Sequence, residues 1–273
     1  MPIEQIVVLA LIQGITEFLP ISSSGHLILV PILTGWQDQG LITDVMVHMG
    51  SFIAVIAYFW RDVLNLIKGA FNLLRGNVTR DGKLAIFIVL ATIPAVAFGL
   101  FLKKTGYIDH FRSAELVAWN AIVFGVLMYA ADAFGRMRKY MADMTLGPAL
   151  VIGIAQALAI IPGTSRSGIT MTAARAMGFH RAEAARFSFL LGLPAIAGSG
   201  ILVLGEAIEQ GVPISPDAVL TGALTIVTAF AAVAFLMAIL RRFSLIWFSI
   251  YRVLLGGALL GLIYSGIPLG AVN

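Results

Sequence analysis

Two apolar stretches of this chain are broken near their middles by serine, glycine and proline: LIQGITEFLPISSSGHLILV at 11–30 and IAQALAIIPGTSRSGITMTA at 154–173. Each reads as helix, break, helix. The flanking sequence is apolar enough to sit in hydrocarbon, where an unpaired backbone N–H or C=O costs several kcal/mol. Irregular backbone survives at that depth only inside protein or along a water-filled cavity. The rest of the chain must therefore fold around these two breaks.

Composition supplies the material. Of 273 residues, 59% are hydrophobic and 12% charged, against roughly 25% charged in a soluble domain. The excess apolar surface requires a bilayer as second solvent. No hydrophilic block is long enough to form a soluble domain; the longest, Arg61 to Lys83, is itself partly apolar. Six stretches can cross a bilayer core of about 20 residues: roughly 45–60, 84–102, 114–131, 187–204, 218–240 and 246–264. The absence of cysteine excludes disulfides, thiolate catalysis and Cys-ligated metals. The net charge of +4 is modest and no basic cluster suggests nucleic acid. Glu4 stands where a signal peptide would carry positive charge, so no cleaved signal is expected.

Charge sets the sidedness. Arg61, Lys68, Arg75, Arg80, Lys83, Arg136, Arg138, Lys139, Arg181, Arg186, Arg241 and Arg242 fall on one side, with Arg175. The other side holds Lys103, Lys104 and Arg112, and the loop with Glu206, Glu209 and Asp217 has no base. By the positive-inside rule this fits six spans plus two re-entrant hairpins, with both termini outside the cytoplasm. The halves also match. Gln13 to Gly25 and Gln156 to Gly168 share one spacing, and Ala95-Val96-Ala97-Phe98 before Lys103-Lys104 parallels Ala232-Val233-Ala234-Phe235 before Arg241-Arg242. One hairpin plus three spans is an odd number of crossings, so the second half is inverted. The expected fold is an all-α polytopic membrane protein: one membrane domain over 1–273, six transmembrane helices plus two re-entrant helix hairpins in an inverted repeat, with halves about 1–131 and 147–264.

The breaks carry the chemistry. Gln13 and Glu17 share a helix face, and Pro20 disfavours helix at Leu19. Ser22, Ser23, Ser24 and Gly25 can start a new helix, whose free N–H groups suit a phosphate. His26, three residues after Ser23, is in reach of its hydroxyl if the turn is helical. In the second break Gly163 and Gly168 allow close backbone approach, Thr164, Ser165, Ser167 and Thr170 offer hydroxyls, and Arg166 offers a fork for phosphate. An intramembrane carboxylate such as Glu17 marks function by default. Blander roles also exist: Ser22–Gly25 as helix packing, Arg166 as the neutralising partner of Glu17, Arg252 as a cation snorkelling from the last span, His110 and His180 as solvated loop residues. His48, early in a span, is read as a core residue, with a place facing the site as the alternative.

The segment QGITEFLPISSSGH resembles the Glu- and Ser-rich signature of bacterial undecaprenyl-diphosphate phosphatases, also called bacitracin-resistance proteins. PGTSRSGIT resembles their second signature, and FSFLLGLP, Phe187 to Pro194, a third shared stretch. The resemblance covers essentially the whole chain. It implies hydrolysis of a C55 isoprenyl diphosphate to the monophosphate that re-enters peptidoglycan synthesis, a multi-pass protein of the bacterial cytoplasmic membrane, a site opening to the periplasmic side, a divalent cation such as Mg2+ or Ca2+, and a homodimer. Glu17, Ser23, His26 and Arg166 match the positions expected to be essential. Glu17, with Gln13, would hold the cation; His26 would be general base to Ser23; Arg166 would clamp phosphate. Attack by Ser23 or by water stays open. Apolar walls between the halves would hold the polyprenyl chain. The rivals are a lipid-phosphate flippase and a coupled transporter in which Glu17 carries a proton.

Overall fold

The computed structural model describes residues 1–106, 111 and 113–265, apart from the side chains of Ser24, Ile28, Ile32 and Leu33. The readings made for His110, Arg112 and the Ser24 side chain lie outside the described residues. Eleven α-helices follow one another among the described residues: α1 (Ile3–Thr16), α2 (Ser23–Thr34), α3 (Gly40–Tyr58), α4 (Trp60–Leu74), α5 (Arg80–Thr105), α6 (Ala114–Phe134), α7 (Leu146–Leu158), α8 (Arg166–Ala176), α9 (Arg181–Glu209), α10 (Pro216–Ile239) and α11 (Ile246–Tyr264). A 3-10 turn spans Met141–Asp143, and the one β feature described is an isolated bridge between Lys139 and Phe179. Helices α3, α5, α6, α9, α10 and α11 are long and apolar enough to cross a membrane. They are the six stretches read from the sequence, with α3 beginning earlier, at Gly40. The all-α polytopic class is the one observed.

Several starts are written locally. Thr79, Ser113 and Ser215 each accept a backbone N–H of the first turn, from Gly82, Leu116 and Ala218. Helix α4 is one that span-finding could not supply. Leu64, Ile67, Phe71 and Leu74 expose an apolar face, and Gly69 seats the helix on α5, where a β-carbon on Gly69 would lie 2.4 Å from Gly82 N.

Polar staples gather the helix ends into two layers. At the basic end, buried Asp132 at the close of α6 accepts from Arg175 at the end of α8 and Arg181 at the start of α9, both at 2.8 Å, and from Ser244 and Leu245 N ahead of α11. Arg186 of α9 pairs there with Asp62 of α4. At the opposite end Lys103 pairs with Glu206, the N-terminal ammonium with Asp217, and Tyr264 donates to Glu115. The outer ends of α1 and α2 lie together, since Gln5 Nε2 donates to Gln37 O at 2.9 Å. The Lys139–Phe179 bridge likewise joins the segment before α7 to the third residue after α8.

Helices in hydrocarbon gain little from apolar burial against one another, so small residues that let backbones approach set the contacts. A β-carbon on Gly50 of α3 would stand 2.3 Å from Gly222 O of α10, and one on Gly153 of α7 would stand 2.2 Å from Ala91 O of α5. Gly257 of α11 has nothing within 4 Å of that position. Gly50→Ala and Gly153→Ala should each therefore destabilise the protein by about 1–3 kcal/mol, while Gly257→Ala leaves thermal unfolding in detergent where it was. Equal midpoints for all three would remove the close-contact account of these seams.

Candidate functional site

The two breaks share a backbone device. Ser22 (φ 76°, ψ 95°) and Ser165 (φ 69°, ψ 113°) are the two non-glycine residues with positive φ among those described. Each stands nine residues after its glutamine, Gln13 or Gln156, and each immediately precedes a helix. Such a conformation costs on the order of 1–3 kcal/mol and persists only where surrounding contacts impose it. Its effect is to turn the chain sharply, so that α2 begins at Ser23 and α8 at Arg166 on the rim of one cavity of about 220 Å³. Two helix starts at a single cavity make a local field that favours an anion. Ser165 also caps α8, accepting Gly168 N at 3.1 Å.

Glu17 sits between them. Its Oε2 accepts from Ser23 Oγ at 2.6 Å and Gln13 Nε2 at 3.2 Å, and its Oε1 accepts from Arg166 Nη2 at 2.9 Å. One carboxylate thus joins both breaks. Arg166 Nη1 and Gln13 Oε1 are buried and have no hydrogen-bond partner among the described residues. The guanidinium fits because residue 192 is glycine: a β-carbon there would fall 1.7 Å from Arg166 Nη1. That gives the FSFLLGLP stretch a physical role. Ser199, Ala195 and Ile196 of α9, Ala159 after α7, and His48 of α3 complete the wall.

His48, for which the sequence left a place facing the site beside the core role, lines the cavity. Its Nε2 lies 3.8 Å from Glu17 Oε2, and its Nδ1 bonds Asp44 O at 2.7 Å, which fixes Nδ1 as the protonated nitrogen of the neutral ring. Nothing in the local sequence around His48 marks it, because only the packing of α3 turns that face toward the breaks. His26 is arranged differently from expectation. Its Nδ1 donates to Ser22 O at 2.7 Å and its Nε2 meets Tyr251 Oη at 2.6 Å, with the two rings stacked. The Ser23 hydroxyl donates to Glu17 instead, a charged and stronger acceptor. His26 therefore holds the Ser22 turn against α11 and is not directed at Ser23.

The remaining residues read as phosphate contacts brace the breaks rather than line the cavity. Ser167 Oγ lies 3.3 Å from Glu17 O and 3.2 Å from Leu19 O, and Thr170 Oγ1 donates to Arg166 O and meets Ser188 Oγ. Gly25 packs on Val117, and Gly163 (φ 84°) lets the second break lie against α6, where a β-carbon would stand 2.5 Å from Val117 O. Thr164 is fully buried, its hydroxyl without a described partner.

Arg252 corrects the snorkelling assignment. It is 0% exposed and donates to five backbone carbonyls: Pro20 of the first break, Gly163 and Thr164 of the second, and Asn120 and Ala121 of α6. A cation could not snorkel from that depth, and carbonyls that the breaks free from helix ladders are its natural partners. Gly168 leaves room for it.

Residues 6–258 match the family described as Bacitracin resistance protein BacA. The chain belongs to that family. It is similar over nearly its whole length to proteins named undecaprenyl-diphosphatase. That of Erythrobacter litoralis is 48% identical over 94% of this chain and 98% of its own. That of a Ruegeria species is 45% identical over 97% and 100%, and that of Saccharophagus degradans 48% over 97% and 99%.

Arg252→Lys keeps a charge, but one ammonium with three N–H donors cannot serve the five carbonyls that Nε, Nη1 and Nη2 reach. It should cost more than about 3 kcal/mol, since each buried acceptor left unsatisfied costs about 1–3 kcal/mol. A thermal unfolding midpoint in detergent equal to that of the unmodified protein would contradict this role.

Proposed function

We propose that the cavity around Glu17 is where this chain hydrolyses undecaprenyl diphosphate to undecaprenyl phosphate and phosphate, returning the lipid carrier to peptidoglycan synthesis and so conferring bacitracin resistance. The observation that carries it is the convergence of Ser23, Arg166 and two helix starts on one buried carboxylate, in a polytopic chain related throughout to undecaprenyl-diphosphatases.

The residues divide the work by what they can donate. Arg166 holds Glu17 with Nη2 and keeps Nη1 unused, so it can turn its fork onto the terminal phosphate. The N–H groups at the starts of α2 and α8 stabilise charge spreading over the equatorial oxygens. Ser23 attacks the terminal phosphorus as its proton passes to Glu17, the base nearest its hydroxyl at 2.6 Å; the bond to the bridging oxygen breaks, undecaprenyl phosphate leaves, and water then releases phosphate from Ser23. If Ser23 instead holds the attacking water, the same bond breaks and phosphate forms in one step. His48, fixed by Asp44 O, orients or relays beside Glu17.

The donor set suits a hard divalent cation, Mg2+ or Ca2+. Gln13 Oε1 is a buried oxygen without a partner next to the Glu17 carboxylate. No group of three His, Cys, Asp or Glu among the described residues could hold a metal alone, so the other ligands would be water and substrate oxygens, as is usual for Mg2+. When bound, such an ion neutralises charge between carboxylate and diphosphate.

The same proposal takes the chain as an inverted repeat with two re-entrant hairpins in the bacterial cytoplasmic membrane. In support, α1 rests on α10 through Thr228 Oγ1 to Ala10 O, and α7 rests on α5 through Gly153 against Ala91 O. These are the same pair of positions in the two halves, counted from the Gln13/Gln156 and Ala95/Ala232 matches. The cavity opens to the periplasmic side. His48 lies eight residues from the start of α3 at the base-poor end, about 12 Å, whereas Ser199 lies 18 residues from the start of α9 at the basic end, about 27 Å.

Purified protein in detergent should release phosphate from undecaprenyl diphosphate; a lipid flippase would release none. Arg166→Lys should lower kcat/KM at least about tenfold, since a point charge replaces a planar fork, and near-normal turnover would remove the bidentate clamp. If Glu17 rather than His26 takes the Ser23 proton, Glu17→Gln should be far slower than His26→Gln, and His26→Gln should keep the pH profile of the unmodified enzyme. Loss of the rising limb in His26→Gln alone would return the base to His26.

A further inference from the structure

We propose that the polyprenyl chain of the substrate leaves the cavity through the seam between α5 and α9 and lies in the apolar groove there, with its diphosphate at Glu17. This rests on reading the cavity as a lipid-diphosphate site and names the path of the tail.

Four seams join spans of one half to spans of the other: α3 with α10, α3 with α9, α6 with α11, and α5 with α9. The first is closed. Gly50 and Gly222 bring the two backbones together, and β-carbons on them would lie 2.3 Å from Gly222 O and 2.7 Å from Met46 O. Its counterpart under the repeat, α5 with α9, is open. It holds a groove of about 410 Å³ running along one face of α5 from Val89 to Leu100, with Ile93 and Val96 between them and Pro194 of α9 opposite. Pro194 of α9 stands at this seam, where α3 and α10 have glycines at their contact. Its ring interrupts the α9 ladder and takes up space that a glycine would leave to the facing backbone.

The groove has the chemistry of an isoprenoid site. Its single hydroxyl, on Thr92, is already bonded to Ile88 O at 2.8 Å, which leaves no polar group asking for water. It also joins the cavity through one helix. Pro194 lines the groove, and the next two residues, Ala195 and Ile196, line the cavity. The rival groove between α6 and α11, about 310 Å³, has no such continuity, because neither helix contributes a residue to the cavity wall. Over the eleven steps from Val89 to Leu100 the groove runs about 16 Å, enough for the isoprenoid units next to the diphosphate; the remainder of a C55 chain lies among lipid tails.

The test uses the whole protein in lipid nanodiscs and a polyprenyl diphosphate carrying a diazirine on the isoprenoid units nearest the diphosphate, with a diazirine phospholipid as comparison. Mapped by peptide, the polyprenyl label should fall on 89–100 and 194 at least threefold more than on the α6–α11 groove, and the phospholipid label should show no such preference. Ala97→Trp, which fills the α5–α9 groove, should cut that labelling and raise KM for the C55 substrate at least fivefold more than KM for a C10 diphosphate. Val253→Trp, in the α6–α11 groove, should do neither. Label on α6 and α11, label spread evenly over the lipid-facing surface, or equal KM changes for both chain lengths would overturn the proposal. Phosphate release with label elsewhere sinks the tail path alone, and groove labelling without phosphate release sinks the phosphatase reading alone. If Ala97→Trp does not fold, the labelling pattern of the unmodified chain decides.

Discussion

A single carboxylate deep in a membrane protein sets the terms for everything around it. A charged side chain at the bilayer centre costs about 2.5–3.5 kcal/mol on insertion scales, and more if it is left unpaired in a dry interior. Glu17 is 8% exposed and meets that cost through Arg166, Ser23 and Gln13. Those partners come from three places: the helix before the first break, the helix after it, and the helix after the second break. The two halves of the chain can hold Glu17 only by bringing the breaks together, so the ion pair and the meeting of the breaks are one requirement. The pair is also only partly satisfied. Among the described residues Arg166 Nη1 and Gln13 Oε1 have no hydrogen-bond partner, which is a poor design for a purely structural pair and a suitable one for a pair that a phosphate and a cation can enter.

Arg252 solves the complementary problem. Where the chain leaves the helix inside hydrocarbon, its carbonyls lose their ladder partners. In this chain one buried guanidinium gathers carbonyls from both breaks, Pro20 of the first and Gly163 and Thr164 of the second. Thus one arginine faces the cavity and ties the breaks through charge, and another sits behind them and ties them through their backbones. With the framework fixed from behind, Ser22 and Ser165 can be held in a strained turn that aims both helix starts at the same space.

The sequence disclosed what depends on local chemistry and withheld what depends on packing. The six spans were legible because twenty apolar residues can do little else, and the breaks because serine, glycine and proline cannot continue a helix there. Glu17, Ser23 and Arg166 were legible because a charge or a serine run inside hydrocarbon demands a partner. His48 and Arg252 were not: each stands alone among apolar neighbours, and its importance comes only from which helix lies opposite. Residues 60–74 were legible as charged but not as helix α4, whose apolar face is too short to register as a span. Proximity in sequence also misled. Ser23 and His26 are three residues apart, yet the turn at Ser22 sends one side chain to α1 and the other to α11.

The proposed repeat would help to build such a site but could not by itself use it. Perfect symmetry would place identical residues on both rims, and here the rims differ in the way the chemistry needs. Ser23 and Arg166 each follow a strained serine and each open a helix, so the two rims present the same helix start with a hydroxyl on one and a guanidinium on the other. Glu17 has Ile160 as its counterpart, which leaves one carboxylate rather than two. Two unpaired carboxylates at that spacing would repel each other and the phosphate alike. The seams diverged in the same sense. Glycines at 50 and 222 close the α3–α10 contact, while Pro194 stands at the α5–α9 groove. A lipid with a polar head and a long apolar tail has two different ends to satisfy. Halves related by the proposed repeat would satisfy both only by differing along the line that joins cavity to bilayer.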